Sequence, residues 1–152
     1  MNVDHILLPT DLSVLSLRPI ENAPELFENR IVTLLCVIED VPIKAAGAPF
    51  APPLQGADLS KKITQAQVEM EEMSKVFPGA REVRIEAFGA PHPGVAITDW
   101  AVEHKVDLIA LSTHGRTGFR RLVLGSIAED ILRHSRVPVL AFPQAEEGDD
   151  AS

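Results

Sequence analysis

Eight consecutive residues without a charged side chain, Ile31 to Ile38 (IVTLLCVI), constrain the fold of this chain more than any other feature. A strand with one wet face alternates apolar and polar residues. A continuous apolar run of this length fits a strand covered on both sides, as in the middle of a parallel sheet. Four more short runs read as strands: His5 to Pro9, Val83 to Phe88, Val106 to Leu111 and Val137 to Phe142. Arg84 and Glu86 interrupt the third of these, as suits an edge strand. Helical segments separate the runs, so the expected class is α/β, a parallel sheet with helices on both faces.

The clearest helix is expected over Leu59 to Phe77. Leu59, Ile63, Ala66, Met70, Met73 and Phe77 fall three and four apart and form one apolar stripe. Asp58 can cap its start, and Pro78-Gly79 stops it. A second helix is expected from Pro93 to about His104, and a third from Ser126 to Ser135, opening on the capping-box spacing Ser126-x-x-Glu129. Between the first two strands, Pro19 and Pro24 fall where a covering helix is needed; an interior proline costs about 3 kcal/mol, so this stretch reads as a short or broken helix. Residues 39–58, with Pro42, Pro49, Pro52 and Pro53, read as a long loop, and the acidic residues 144–152 as a disordered tail following one domain over 1–143.

Composition excludes several classes of function. The 22 acidic and 14 basic residues give a net charge of −8, which opposes a broad electrostatic nucleic-acid surface. It does not oppose a nucleotide, because backbone N–H groups and a helix terminus hold phosphate without net positive charge. No apolar stretch approaches the roughly 20 residues of a membrane span, and no signal peptide is visible. Cys36 is the one cysteine and excludes an internal disulfide; a cytoplasmic protein is expected.

The stretch from Leu111 to Ser126 (LSTHGRTGFRRLVLGS) carries the most chemical information. It leaves a strand end and enters a helix at Gly125-Ser126. In an open parallel sheet, ligands bind beyond the carboxyl ends of the strands where strand order reverses. Pro9-Thr10-Asp11 would lie beside this loop if the fourth strand pairs with the first. Glycines allow backbone N–H groups to approach a phosphate, the helix terminus adds roughly half a positive charge, and Asp11 can accept hydrogen bonds from a ribose.

With these residues in place the chain resembles the universal stress protein family, whose loop runs glycine, two residues, glycine, nine residues, glycine, then serine or threonine. Gly115, nine residues, Gly125 and Ser126 match its second half; Ser112 stands where the first glycine is expected. Pro9-Thr10-Asp11-Leu12-Ser13, Cys36-Val37-Ile38 and Val137-Pro138-Val139-Leu140 are also similar to the family, and the resemblance spans about residues 4 to 142. It implies a five-stranded doubly wound, Rossmann-like sheet in the order 3-2-1-4-5. It further implies an ATP-binding site, with AMP as another candidate ligand. Pro9, Thr10, Asp11 and Val37 would hold adenine and ribose; Leu111, Ser112, Gly115, Gly125, Ser126 and Ile127 would surround ribose and phosphates. Mg2+ would be held through the phosphates rather than by a protein cluster, and a homodimer would form through Val137 to Phe142. If the backbone at Ser112 needs a positive φ, serine costs on the order of 1 kcal/mol there.

Plainer roles stand beside these. Ser126 can simply cap a helix, and Asp11 can simply close an Asx-turn with Ser13. His5, His92, His104, His114 and His134 show no metal-ligand spacing, and Arg116, Arg120 and Arg121 read mainly as a solvated loop face. Cys36 reads as a core residue, and Trp100 as packed on the sheet or at a subunit contact. Nothing supplies an activated nucleophile, so the expected function is a nucleotide-responsive regulatory module. The alternatives are slow ATP hydrolysis and a nucleotide-independent dimer.

Overall fold

In the computed structural model, which describes residues 1–40, 57–113 and 124–143, five parallel strands form one sheet in the order β3-β2-β1-β4-β5. The strands are β1 His5–Pro9, β2 Ile31–Glu39, β3 Glu82–Ala90, β4 Leu108–Ser112 and β5 Val139–Phe142. β1 is central, with Ile6 facing Val32 on one side and Leu108 on the other. β3 lies at one edge, where its alternating charges meet water, and β5 at the other. The chain moves outward from β1 to β2 and β3, then crosses back to β4, so strand order reverses between β1 and β4.

The period of two along each strand divides the core into two layers. Ile6, Leu8, Val32, Leu34, Cys36, Leu108 and Ala110 face one side with Ala66, Met70 and Phe77. Leu7, Leu35, Val37, Ile109 and Leu111 face the other with Ile97, Ala101 and Ile131. The first layer is covered by α2 (Ala57–Ser74) and by α1 (Arg18–Asn22), the second by α3 (Pro93–Glu103) and α4 (Ser126–His134). Each fully buried aliphatic side chain contributes roughly 1.5–3 kcal/mol, so the two layers hold the helices to the sheet.

Several boundaries differ from expectation for local reasons. The stretch before β2 is broken as its prolines require: 3₁₀ turns at Val14–Leu17 and Pro24–Phe27 flank the short α1. α2 ends at Ser74 rather than Phe77, because Lys75, Val76 and Phe77 donate three residues back and tighten the last turn. Asp58 lies in the first turn of α2, which begins at Ala57, so it is not the cap. β4 begins two residues late because Val106 N–H is spent on Ala101 O, closing the end of α3 over Lys105 at φ 54°. β5 begins at Val139, after Pro138, which has no N–H to give but accepts from Ile109. The expected loop over 39–58 and the tail from 144 lie almost wholly outside the described residues.

At the amino end of the sheet the polar groups are tied to one another. Asp107 accepts from the N–H of His5 (2.9 Å) and of Asp4 (3.0 Å), and these donors hold its carboxyl below the usual carboxylate range. His5 Nε2 and Thr33 Oγ1 lie 2.8 Å apart in the interior. Burial first, and then the Arg84 guanidinium, push the His5 imidazole below its ordinary value, against an opposing pull from Asp107. Arg81 grips both Asp4 carboxylate oxygens at 2.9 Å, and Arg30 donates to Val3 O and Leu26 O. Trp100 is half-buried, edge-on to His5 and stacked on His104 at 3.8 Å.

Candidate functional site

The carboxyl ends of β1 and β4 open into a cleft of about 200 Å3 at the point where strand order reverses. Its first wall is the turn that follows β1. Thr10 N–H still bonds to Leu35 O at 2.9 Å, extending the ladder by one residue. The buried Thr10 hydroxyl then lies 2.7 Å from Ser16 Oγ and accepts from Leu12 N–H at 2.9 Å. That bond holds Leu12 in the left-handed region at φ 70°, a conformation unfavourable to a residue with a Cβ. Asp11 Oδ1 accepts from Ser13 N–H (2.9 Å) and Ser13 Oγ (2.5 Å), the expected Asx-turn. Ser16 Oγ donates to Ser13 O at 2.7 Å and closes the loop. Thr10 therefore supports the site through its hydroxyl network, while the half-buried Asp11 carboxylate stands on the cleft wall.

The opposite wall is the first turn of α4. Gly125 is its N-cap, at φ −58° and ψ 150°, and no side chain caps it. The capping-box reading of Ser126 is therefore corrected: Ser126 is the first helical residue, and Glu129 pairs with Arg133 at 2.8 Å instead of reaching back. Gly125 N–H is spent on Thr113 O (2.9 Å), and Thr113 N–H on Phe142 O (3.1 Å), which ties the helix start to β4 and β5. Glu129 N–H makes the first helical bond, to Gly125 O, so Ser126, Ile127 and Ala128 carry N–H groups without an intrahelical partner. All three residues line the cleft. Nine-residue α4 brings its positive end to the same place.

Val37, Ile97, Leu111 and Ile131 make an apolar wall between the two polar ones. Val37 and Leu111 reach it because both point to the α3–α4 face at the carboxyl ends of their strands. Asp11 is the one charged side chain among the described lining residues. Ser112 ends β4 and is not among the residues with a left-handed backbone, so the strain weighed for serine at this position does not arise.

Of the residues singled out in the sequence, Pro9, Thr10, Asp11, Val37, Leu111, Ser112, Gly125, Ser126 and Ile127 all line this cleft. Gly115 lies outside the described residues, as do His114, Arg116, Arg120 and Arg121. Ser16, Ile97, Thr113, Ala128 and Ile131 line it too and were not anticipated. Ile131 lies one turn beyond Ile127 on the same helix face, so helical spacing was the available signal. Ser16 had none, since it comes from the proline-interrupted stretch. Among the described residues no group of three or more His, Cys, Asp or Glu side chains could hold a metal ion, and no helix is long and apolar enough to cross a membrane.

The model of the universal stress protein family matches residues 2–143. The universal stress protein MJ0531 of Methanocaldococcus jannaschii is 30% identical over 143 residues, covering 89% of this chain and 79% of its own. The solved structure of MJ0577, a universal stress protein of the same organism, superposes with a TM-score of 0.71 at 26% identity, covering 95% of this chain and 98% of the other. Two more distant structures share the fold. A universal stress protein in complex with cAMP has a TM-score of 0.62 at 17% identity, over 94% of this chain and 98% of the other. A family member from Arabidopsis thaliana with AMP bound has a TM-score of 0.55 at 14% identity, over 98% and 99%. With its strand order, its glycine-serine helix start and a family match over nearly the whole chain, this protein belongs to the universal stress protein family.

Proposed function

We propose that the protein is a nucleotide-responsive regulatory module of the stress response that binds ATP, or AMP, in the cleft between β1 and β4. The observation that carries this reading is the convergence of three backbone N–H groups with no intrahelical partner, at Ser126, Ile127 and Ala128, on a cleft whose described lining has an apolar wall and one carboxylate. The fit follows from chemistry. An adenine ring is flat and largely apolar and suits Val37, Ile97 and Leu111; ribose hydroxyls are donors suited to Asp11; phosphate suits the start of α4. The structures with AMP and cAMP speak at their low identity for the fold alone, so the residues of this chain carry the assignment. Bound ATP would supply the phosphate oxygens that hold Mg2+, with Asp11, Ser112 and the first turn of α4 arranged around them.

In this reading the protein binds rather than catalyses. Asp11 is already engaged with Ser13, and its most demanding role would be to orient a water for slow hydrolysis. A homodimer would pair β5 edges, since Val139–Phe142 has β4 on one side only and Leu140 is 41% exposed. With Cys36 the one cysteine, buried and in no internal disulfide, the cytoplasm is the compartment proposed.

Thermal unfolding with Mg2+ and ATP, AMP or cAMP tests the assignment. A ligand at 100 times its dissociation constant adds about 2.7 kcal/mol, several degrees for a chain of this size. A shift with ATP that disappears in Gly125→Val, which puts a β-branched side chain at the cleft-lining N-cap of α4, is expected. No shift at millimolar nucleotide would leave the β5-paired dimer as the functional unit.

A further inference from the structure

Gly94 is buried in the first turn of α3, where that helix packs on α4. A Cβ built on Gly94 falls 2.4 Å from the Cβ of Asp130 and 3.1 Å from its Oδ2. Carbon atoms attract best at about 3.5–4.0 Å, so the first of these separations cannot exist. Rotating the Asp130 side chain gives no relief, because a Cβ is fixed by the backbone; the helices themselves must separate. Asp130 lies one turn beyond Ser126; Ile127, three residues before it, and Ile131, directly after it, line the cleft. On the other helix, Ile97 lies one turn beyond Gly94 and lines the same cleft. The tight approach of Gly94 to Asp130 is therefore about one turn from the start of α4 at the cleft.

We infer that Gly94 is a positioning residue for the nucleotide: by lacking a side chain it lets α4 seat against α3 so that the Ser126, Ile127 and Ala128 amides converge on one ligand position. This role rests on the nucleotide reading above, and the geometry beneath it does not. Intrinsic helix propensity has the opposite sign, since alanine is the better helix former, so a loss in Gly94→Ala cannot be blamed on propensity.

The test compares the native protein, Gly94→Ala, Asp130→Gly and the double variant Gly94→Ala/Asp130→Gly, which removes the opposing Cβ. Backbone amide chemical shifts and the ATP dissociation constant in Mg2+ are measured for each. Gly94→Ala should move the amide signals of Ser126, Ile127 and Ala128, leave those of β2 and β3 in place, and weaken ATP roughly tenfold, since small misplacements of converging groups are costly. The double variant should bring both the amide signals and the affinity back to those of Asp130→Gly. If Gly94→Ala does not fold, recovery of the fold and of the 126–128 signals in the double variant carries the same conclusion. Amide changes confined to α3, an unchanged dissociation constant, or a double variant that recovers nothing would overturn the role. If the native protein binds no ATP, the nucleotide reading fails, and the amide map still decides whether Gly94 positions α4.

Discussion

The two ends of the same parallel sheet are built differently. At the amino end, polar groups are closed on one another: Asp107 caps two backbone amides, His5 meets Thr33, and Arg81 holds Asp4. At the carboxyl end, the first turn of α4 presents N–H groups with no intrahelical partner to a cleft shared with Asp11. Satisfied polar groups stabilise a fold and have nothing left to offer a ligand; groups left open cost some stability and are available for recognition.

If that division is right, substitutions at the amino end should lower stability and spare nucleotide affinity. The largest effect is expected from Phe27→Ala, which empties a site that is 1% exposed and ends the edge-to-face contact with Phe77 at 5.4 Å. A loss of about 3–5 kcal/mol in denaturant unfolding is expected, with the ATP dissociation constant of the remaining folded protein unchanged. Asp107→Ala comes next. It strips two amides of a charged acceptor in a half-buried position and should cost about 1–2 kcal/mol, again without altering affinity. A fall in affinity in either variant would show that the two ends are coupled.

His5 ties the stability of the amino end to pH. Its folded pKa lies below the ordinary value of 6.5, so below that value the unfolded chain takes up the proton first. Its contribution is complete above about pH 6.5 and is lost as pH falls toward the lower folded pKa, by at most about 1.4 kcal/mol per pH unit. Unfolding curves between pH 7.5 and 5.5 should show this decline, and His5→Gln should flatten it. Asp11→Ala belongs to the other end and has the smallest effect on stability, within about 0.5–1 kcal/mol for one Asx-turn, yet it should remove most of the response to nucleotide. The reverse pattern, a large loss of stability with affinity intact, would move Asp11 to the structural side.

Much of this arrangement was legible in the sequence, for identifiable reasons. Strand identity and the two core layers follow from period-two alternation and from the uncharged run at Ile31 to Ile38, because burial on both faces leaves no place for charge. The cleft was legible wherever a residue type is tied to backbone placement, as at Gly125-Ser126 and Asp11. What could not be read was decided by contacts distant in sequence. Ser16 reaches the cleft only because prolines break the first helix and Thr10 holds the resulting loop. The cap of α4 shifted from Ser126 to Gly125 because Gly125 is anchored to Thr113 and Glu129 turns to Arg133. Gly94 carries no local signal at all, since its meaning lies in Asp130 on another helix.

The division between the two ends is tested most directly by mapping backbone amide shifts as ATP and Mg2+ are added to the native protein. Changes are predicted at Thr10 to Ser13, at Leu111 to Thr113 and at Ser126 to Ala128, with the amides of Asp4 and His5 unmoved. Saturable changes centred on the amino end, or none anywhere at millimolar ATP, would contradict the account.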